Sequence, residues 1–111
     1  MEYEKERQYY RIQFPPGDLA EFVVGPLTMQ IHEASERGIR YEPGGGHDPG
    51  EDEVVEGTVI LERAGRFQVV GRMSRRQGDT IVVVLDPPGL PYSALMQEQL
   101  YLRKRYPTRE G

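Results

Sequence analysis

Apolar residues along most of the chain recur at every second position or in short runs, and each run stops at glycine or proline. That is the spacing of β-strands, whose side chains alternate between two faces. Residues 19 to 33, LAEFVVGPLTMQIHE, read as two short strands broken at Gly25-Pro26, and residues 38 to 42, GIRYE, as a third. Between residues 53 and 86 three more strands are expected. Val55, Gly57, Val59 and Leu61 share one face, as do Phe67, Val69, Gly71 and Met73, and TIVVVL is continuously apolar. ERAGR and SRRQGD are the expected hairpin turns. The period changes only after DPPGLP, where Tyr92, Leu95, Met96, Leu102 and Tyr106 form a broad helical stripe ending in the basic cluster Arg103-Lys104-Arg105.

The pattern predicts a small six-stranded antiparallel β-barrel, all-β dominated, with a C-terminal α-helix over about residues 92 to 106 covering an opening. Closing the sheet removes the exposed edges that a flat six-stranded sheet would carry. Residues 1 to 13 begin without a core pattern and are expected to form a flexible N-terminal arm, with residues 14 to 111 as one domain. Residues 43 to 53, PGGGHDPGEDE, read as a loop in which nothing packs.

The length, 111 residues, suits a single domain with a core of its own. No stretch is long and apolar enough for a membrane span, and the charged N-terminus is unlike a secretory signal, so a cytoplasmic protein is expected. The chain has no cysteine, which excludes disulfides, thiolate zinc sites and thiol nucleophiles. The three serines, Ser35, Ser74 and Ser93, lie in no nucleophile elbow, and no glycine precedes a lysine as in a phosphate-binding loop. No enzymatic role, catalytic residue, metal or cofactor is expected. His47 beside Asp48, Glu51 and Asp52 could hold a hard cation, but a solvated loop is the simpler reading. His32 is expected at the surface or half-buried on a strand.

A net charge of −4 argues against DNA as a partner. The cations are 12 Arg and only 2 Lys. Genome composition is one source of such a bias. Planar recognition of phosphate or guanine is another. Arg7 and Arg11 lie four residues apart on the arm, although Arg72/Arg76 and Arg105/Arg109 repeat the spacing. In extended chain such residues point the same way about 13 Å apart, and in a helical turn they are neighbours. Downstream, Glu33, Ser35 and Gly38 occupy a polar strand-to-strand turn.

Arg7-x-x-x-Arg11 followed by Glu33-x-Ser35-x-x-Gly38 resembles the PilZ domain, a bacterial receptor for cyclic di-GMP whose pattern is R-x-x-x-R, then D/N-x-S-x-x-G, on a six-stranded barrel. The resemblance covers arm, turn, strand count and terminal helix. It implies that Arg7 and Arg11 contact phosphates and guanine edges, that Ser35 offers a hydroxyl, and that Gly38 permits the turn and a close approach of ligand. It also implies that Glu33 takes the Asp or Asn position, one methylene longer. The expected partners are cyclic di-GMP and an unidentified effector protein that reads the ordered arm, with motility or biofilm regulation as the setting. The alternative is a barrel of the same fold that acts as a protein-interaction adaptor and binds no nucleotide.

Overall fold

A computed structural model describes residues 11 to 18 and 20 to 105. It is a closed antiparallel barrel of six strands with a helix after the last. The strands are β2 (Ala20–Val24), β3 (Leu27–Ser35), β4 (Gly38–Glu42), β5 (Val54–Leu61), β6 (Gly65–Gln77) and β7 (Thr80–Leu85). The ring runs β3-β2-β5-β6-β7-β4 and closes because β4 pairs with β3 as well as β7. A further two-residue strand, β1 (Ile12–Gln13), pairs with the end of β3 through Ile12↔Ala34 and Gln13↔Glu33. The segment expected as a free arm is therefore anchored at its C-terminal end, because Ile12 and Phe14 are core residues. The rest of that segment, residues 1 to 10, lies outside the described residues.

Inward positions follow the sequence alternation closely. Phe22, Met29, Ile31, Ile39, Tyr41, Val55, Val59, Leu61, Val69 and Met73 fill the interior, and Phe22 meets Tyr41 edge to face at 4.9 Å. Gly57 and Gly71 take two inward places where strands approach too closely for a side chain. A Cβ on Gly57 would run into Val23 O, and one on Gly71 into Val84 O.

The β6–β7 turn is shorter than SRRQGD suggests. β6 continues through Gln77, and only Gly78 and Asp79 turn. The glycine-rich loop, expected to pack against nothing, is bonded to the barrel. The Tyr41 hydroxyl and His47 Nε2 share a hydrogen bond of 2.6 Å, Pro49 is buried, and Asp52 and Glu53 exchange backbone hydrogen bonds with Met73. Arg76 pairs with Asp48 across the same mouth. Burial lowers the His47 pKa from its ordinary 6.5, partly offset by Glu53, and burial raises that of the Tyr41 hydroxyl, so burial favours the neutral form of both partners.

Helix α1 (Tyr92–Arg105) buries Ala94, Leu95, Glu98 and Leu102. Leu95 and Leu102 were expected to face inward. Tyr92 was too, but it is exposed, and Tyr106 lies outside the described residues. Glu98 takes its place in the interface. The residue is 2 % exposed, and its carboxylate accepts from the backbone N–H of Glu62, Arg63 and Ala64, the β5–β6 turn. A buried carboxylate is tolerated because charge-assisted bonds replace its hydration. At the helix C-terminus Arg105 Nε donates to Asp18 Oδ2 at 2.7 Å.

Two stability effects follow. Glu98→Ala leaves three turn amides without their acceptor and is expected to cost about 3 kcal/mol in urea unfolding, with Glu98→Gln intermediate. A Glu98→Ala loss below about 1 kcal/mol would show that the turn finds other partners. His47 binds protons less readily folded than unfolded. Its contribution is therefore present above pH 6.5 and lost as pH falls through and below that value. Stability should decline below pH 6.5, and His47→Gln should flatten that decline; parallel profiles would count against it.

Candidate ligand groove

Across the outer face of β3, β4, β7 and β6 lies a groove of about 430 Å³. Two cross-strand rows build it. One runs Glu33–Arg40–Val82–Arg75 and the other Ser35–Gly38–Val84, continued on β6 by Arg72, which lies outside the groove lining. Each row crosses four strands, roughly 15 Å. Arg11, Arg37, Arg40 and Arg75 stand on the groove wall with Glu33 and Ser35, and Val82 and Val84 form an apolar floor.

Two β-bulges aim these side chains. On β3 the register shifts between Ile31 and Glu33, with His32 as the extra residue. Ile31 points in, and strict alternation would turn Glu33 inward too. The bulge resets the phase, so Ala34 is buried while Glu33 and Ser35 face the groove. On β6 the shift falls between Met73 and Arg75, and it places Arg75 opposite Val82 on the outer face. His32 is half-buried on the bulge, as expected for a strand position, with Glu42 at 3.2 Å.

Glu33 is the electrostatic centre. Its Oε2 pairs with Arg11 NH1 at 3.1 Å and its Oε1 with Arg40 Nε at 3.3 Å. The two arginines differ. The Arg40 side chain is 24 % exposed and also reaches Thr80 Oγ1, whereas that of Arg11 is 66 % exposed and, among the described residues, pairs with Glu33 alone. Arg40 therefore fixes the carboxylate, and Arg11 can leave it at small cost.

The turn is tighter than the sequence suggests. Ser35 pairs with Gly38, so only Glu36 and Arg37 turn. Gly38 does not have a positive φ, so the turn does not require glycine there. Its missing side chain instead leaves a low point between Ser35 and Val84. A Cβ would meet Ser35 Oγ at 3.5 Å and Val83 O at 3.6 Å, ordinary contacts.

The structure brings together Arg11, Glu33, Ser35 and Gly38 of the sequence-derived site. Arg7 lies outside the described residues. Sequence reasoning missed Arg37, Arg40 and Arg75. One signal was available for the floor: in IVVVL, residues 81 to 85, every residue is apolar, although a barrel strand needs apolar side chains on its inner face only.

Comparison with known proteins gives fold relatives alone. No protein family and no curated protein matches the chain. Among solved structures, YcgR from Escherichia coli, crystallised with c-di-GMP, aligns with a TM-score of 0.57 at 15 % identity, over 94 % of this chain and 48 % of that one. The chain thus spans about half of YcgR. The uncharacterized Legionella protein Lpg0364 aligns with a TM-score of 0.53 at 14 % identity, over 93 % of this chain and all of that one. The barrel and helix are their fold. No described helix is long and apolar enough to cross a membrane. Among the described residues no group of three or more His, Asp or Glu side chains is placed to hold a metal ion.

The unequal grip on Glu33 is measurable. Arg40→Ala should lower stability by about 1 kcal/mol, since it strips a half-buried carboxylate of its fixed partner, and Arg11→Ala by less than about 0.5 kcal/mol. Equal losses in chemical denaturation would contradict the asymmetry.

Proposed function

We propose that this chain is a receptor for cyclic di-GMP that binds in the arginine-walled groove and passes the signal to a partner protein. The observation that carries the reading is the shared carboxylate: Glu33 stands between Arg11 and Arg40 at the rim of a valine-floored groove. The ligand has two phosphates and two guanines, and each finds matching chemistry there. Guanidiniums pair bidentately with phosphate oxygens and with guanine O6 and N7. A carboxylate accepts from guanine N1 and N2. Val82 and Val84 offer an apolar surface to a base plane. The groove volume lies within the usual range for small-molecule sites. The resemblance of Arg7-x-x-x-Arg11 and Glu33-x-Ser35-x-x-Gly38 to the PilZ pattern, and the fold shared with a protein crystallised with c-di-GMP, support the same ligand.

In the proposed exchange, guanine takes Glu33 Oε2 from Arg11, and Arg11 turns to a phosphate while Arg40 keeps the carboxylate in place. Arg7, four residues upstream, supplies a second guanidinium. No chemical step is involved, so the role is binding and not catalysis, in a bacterial cytoplasm where such a messenger is made.

One observation favours the second reading, a nucleotide-free adaptor. Both Glu33 oxygens already have arginine partners, and the side chain is longer than the Asp or Asn of the resembling family.

Calorimetric titration of the protein with cyclic di-GMP separates the two. Binding is expected, and Arg7→Ala or Arg11→Ala should weaken it about tenfold or more, because each removes a charge-assisted contact worth about 1.5 to 3 kcal/mol. Glu33→Asp should tighten binding modestly and Glu33→Ala should weaken it. No heat of binding for the wild type, with a folded protein, would favour the adaptor.

A further inference from the structure

The turn that carries the groove's rim is also the attachment point of helix α1. Leu85 N donates to Arg37 O at 2.9 Å, and Leu90 N donates to Glu36 O at 2.9 Å. Arg37 Nε donates back to Leu85 O at 2.8 Å. The two ends of the segment from β7 to α1 are thus held by the same two turn residues. Between them Gly89 has a φ of +70° and lies directly on the turn. A Cβ there would overlap the Glu36 carbonyl oxygen and come within 3.2 Å of Arg37 Cδ. Only glycine allows this approach. Leu90 is buried beside it, and α1 starts two residues later.

Arg37 has two directions of use. Its Nε is spent on Leu85 O. Its terminal nitrogens have no partner among the described residues, and the side chain lines the groove. We infer that Arg37 is a coupling residue, through which a phosphate bound in the groove tightens the clasp that holds helix α1. The inference rests on the cyclic di-GMP reading.

The physical reason is the rigid plane of the guanidinium. Its five N–H groups keep fixed directions, so an anion on the terminal nitrogens also fixes where Nε–H points. Ordering the side chain then costs entropy once and serves two contacts. Lysine cannot do this, because one ammonium on a flexible stem has no fixed second direction. Coupling of this kind is reciprocal: whatever factor the ligand adds to the clasp, the clasp adds to ligand affinity. Helix α1 and the segment before it therefore carry the signal, and a partner reads the barrel's helical end.

The test is amide hydrogen exchange of the intact chain with and without cyclic di-GMP, paired with calorimetry. With ligand, exchange at Leu85, Leu90 and the first turn of α1 should slow on the order of five- to tenfold more than at Val59 in β5, which reports any general stabilisation. Arg37→Lys should abolish the excess and lower affinity by the same factor. Gly89→Ala lies outside the groove and should lower affinity similarly in the wild type but not further in Arg37→Lys. Should Gly89→Ala fail to fold, the wild-type exchange and Arg37→Lys still decide. Binding with no excess slowing at Leu85 and Leu90 overturns the coupling and leaves the receptor reading intact. A folded Gly89→Ala with wild-type affinity does the same. No binding by the wild type overturns both.

Discussion

Strand β4 is bonded on both sides, to β3 and to β7, and this double pairing closes the sheet on itself. A β-sheet edge presents a row of unmet N–H and C=O groups, and closure is the arrangement that leaves none. β4 has only five residues, yet the groove lies across the seam it makes. Glu33 and Ser35 come from one side of β4, Val82, Val84 and Arg75 from the other, and Arg40 and Gly38 from β4 itself. Without the seam these residues would sit on opposite edges of an open sheet.

The seam also resolves an electrostatic contradiction. The chain is acidic as a whole, with a net charge of −4, yet four arginines line one groove against a single carboxylate, Glu33. Such a wall repels itself unless something anionic stands among the cations. Glu33 fills that role within the chain, shared between Arg11 and Arg40. A dianionic ligand would fill it more completely, and the more exposed Arg11 pair would yield to it before the half-buried Arg40 pair. Another carboxylate, the fully buried Glu98, works in the opposite sense. Among the described residues it pairs with no cation, and three backbone amides hold it, so it fastens the helix without competing for the groove's arginines.

Strand existence and type were legible in the chain because they depend on short-range alternation, which a barrel interior enforces residue by residue. The period-two faces through Val55 and Val69, the break at Gly25-Pro26 and the switch to helical spacing after Leu90 all appear where the sequence places them. Part of the site was legible too, because Arg11, Glu33, Ser35 and Gly38 have a spacing that can be compared with a known pattern. The loop of residues 43 to 53 was misjudged. Its glycines and acids suggest solvent, whereas Tyr41, on the strand just before it, and Met73, distant in sequence, supply its partners.

What the sequence determined by itself was therefore the local alternation, the turns at glycine and proline, and the C-terminal helix. Tertiary structure decided which of those residues face one another. The bulge at His32 turns Glu33 from the core to the groove, and the shift before Arg75 brings a third strand's cation to the same wall. Neither bulge leaves a mark in composition or periodicity, because each arises from how two strands register, not from either strand alone. The same holds for the close approach of Gly89 to the Glu36–Arg37 turn, which joins residues far apart in sequence. Local sequence sets what each strand can present, and the closed sheet sets what it presents to.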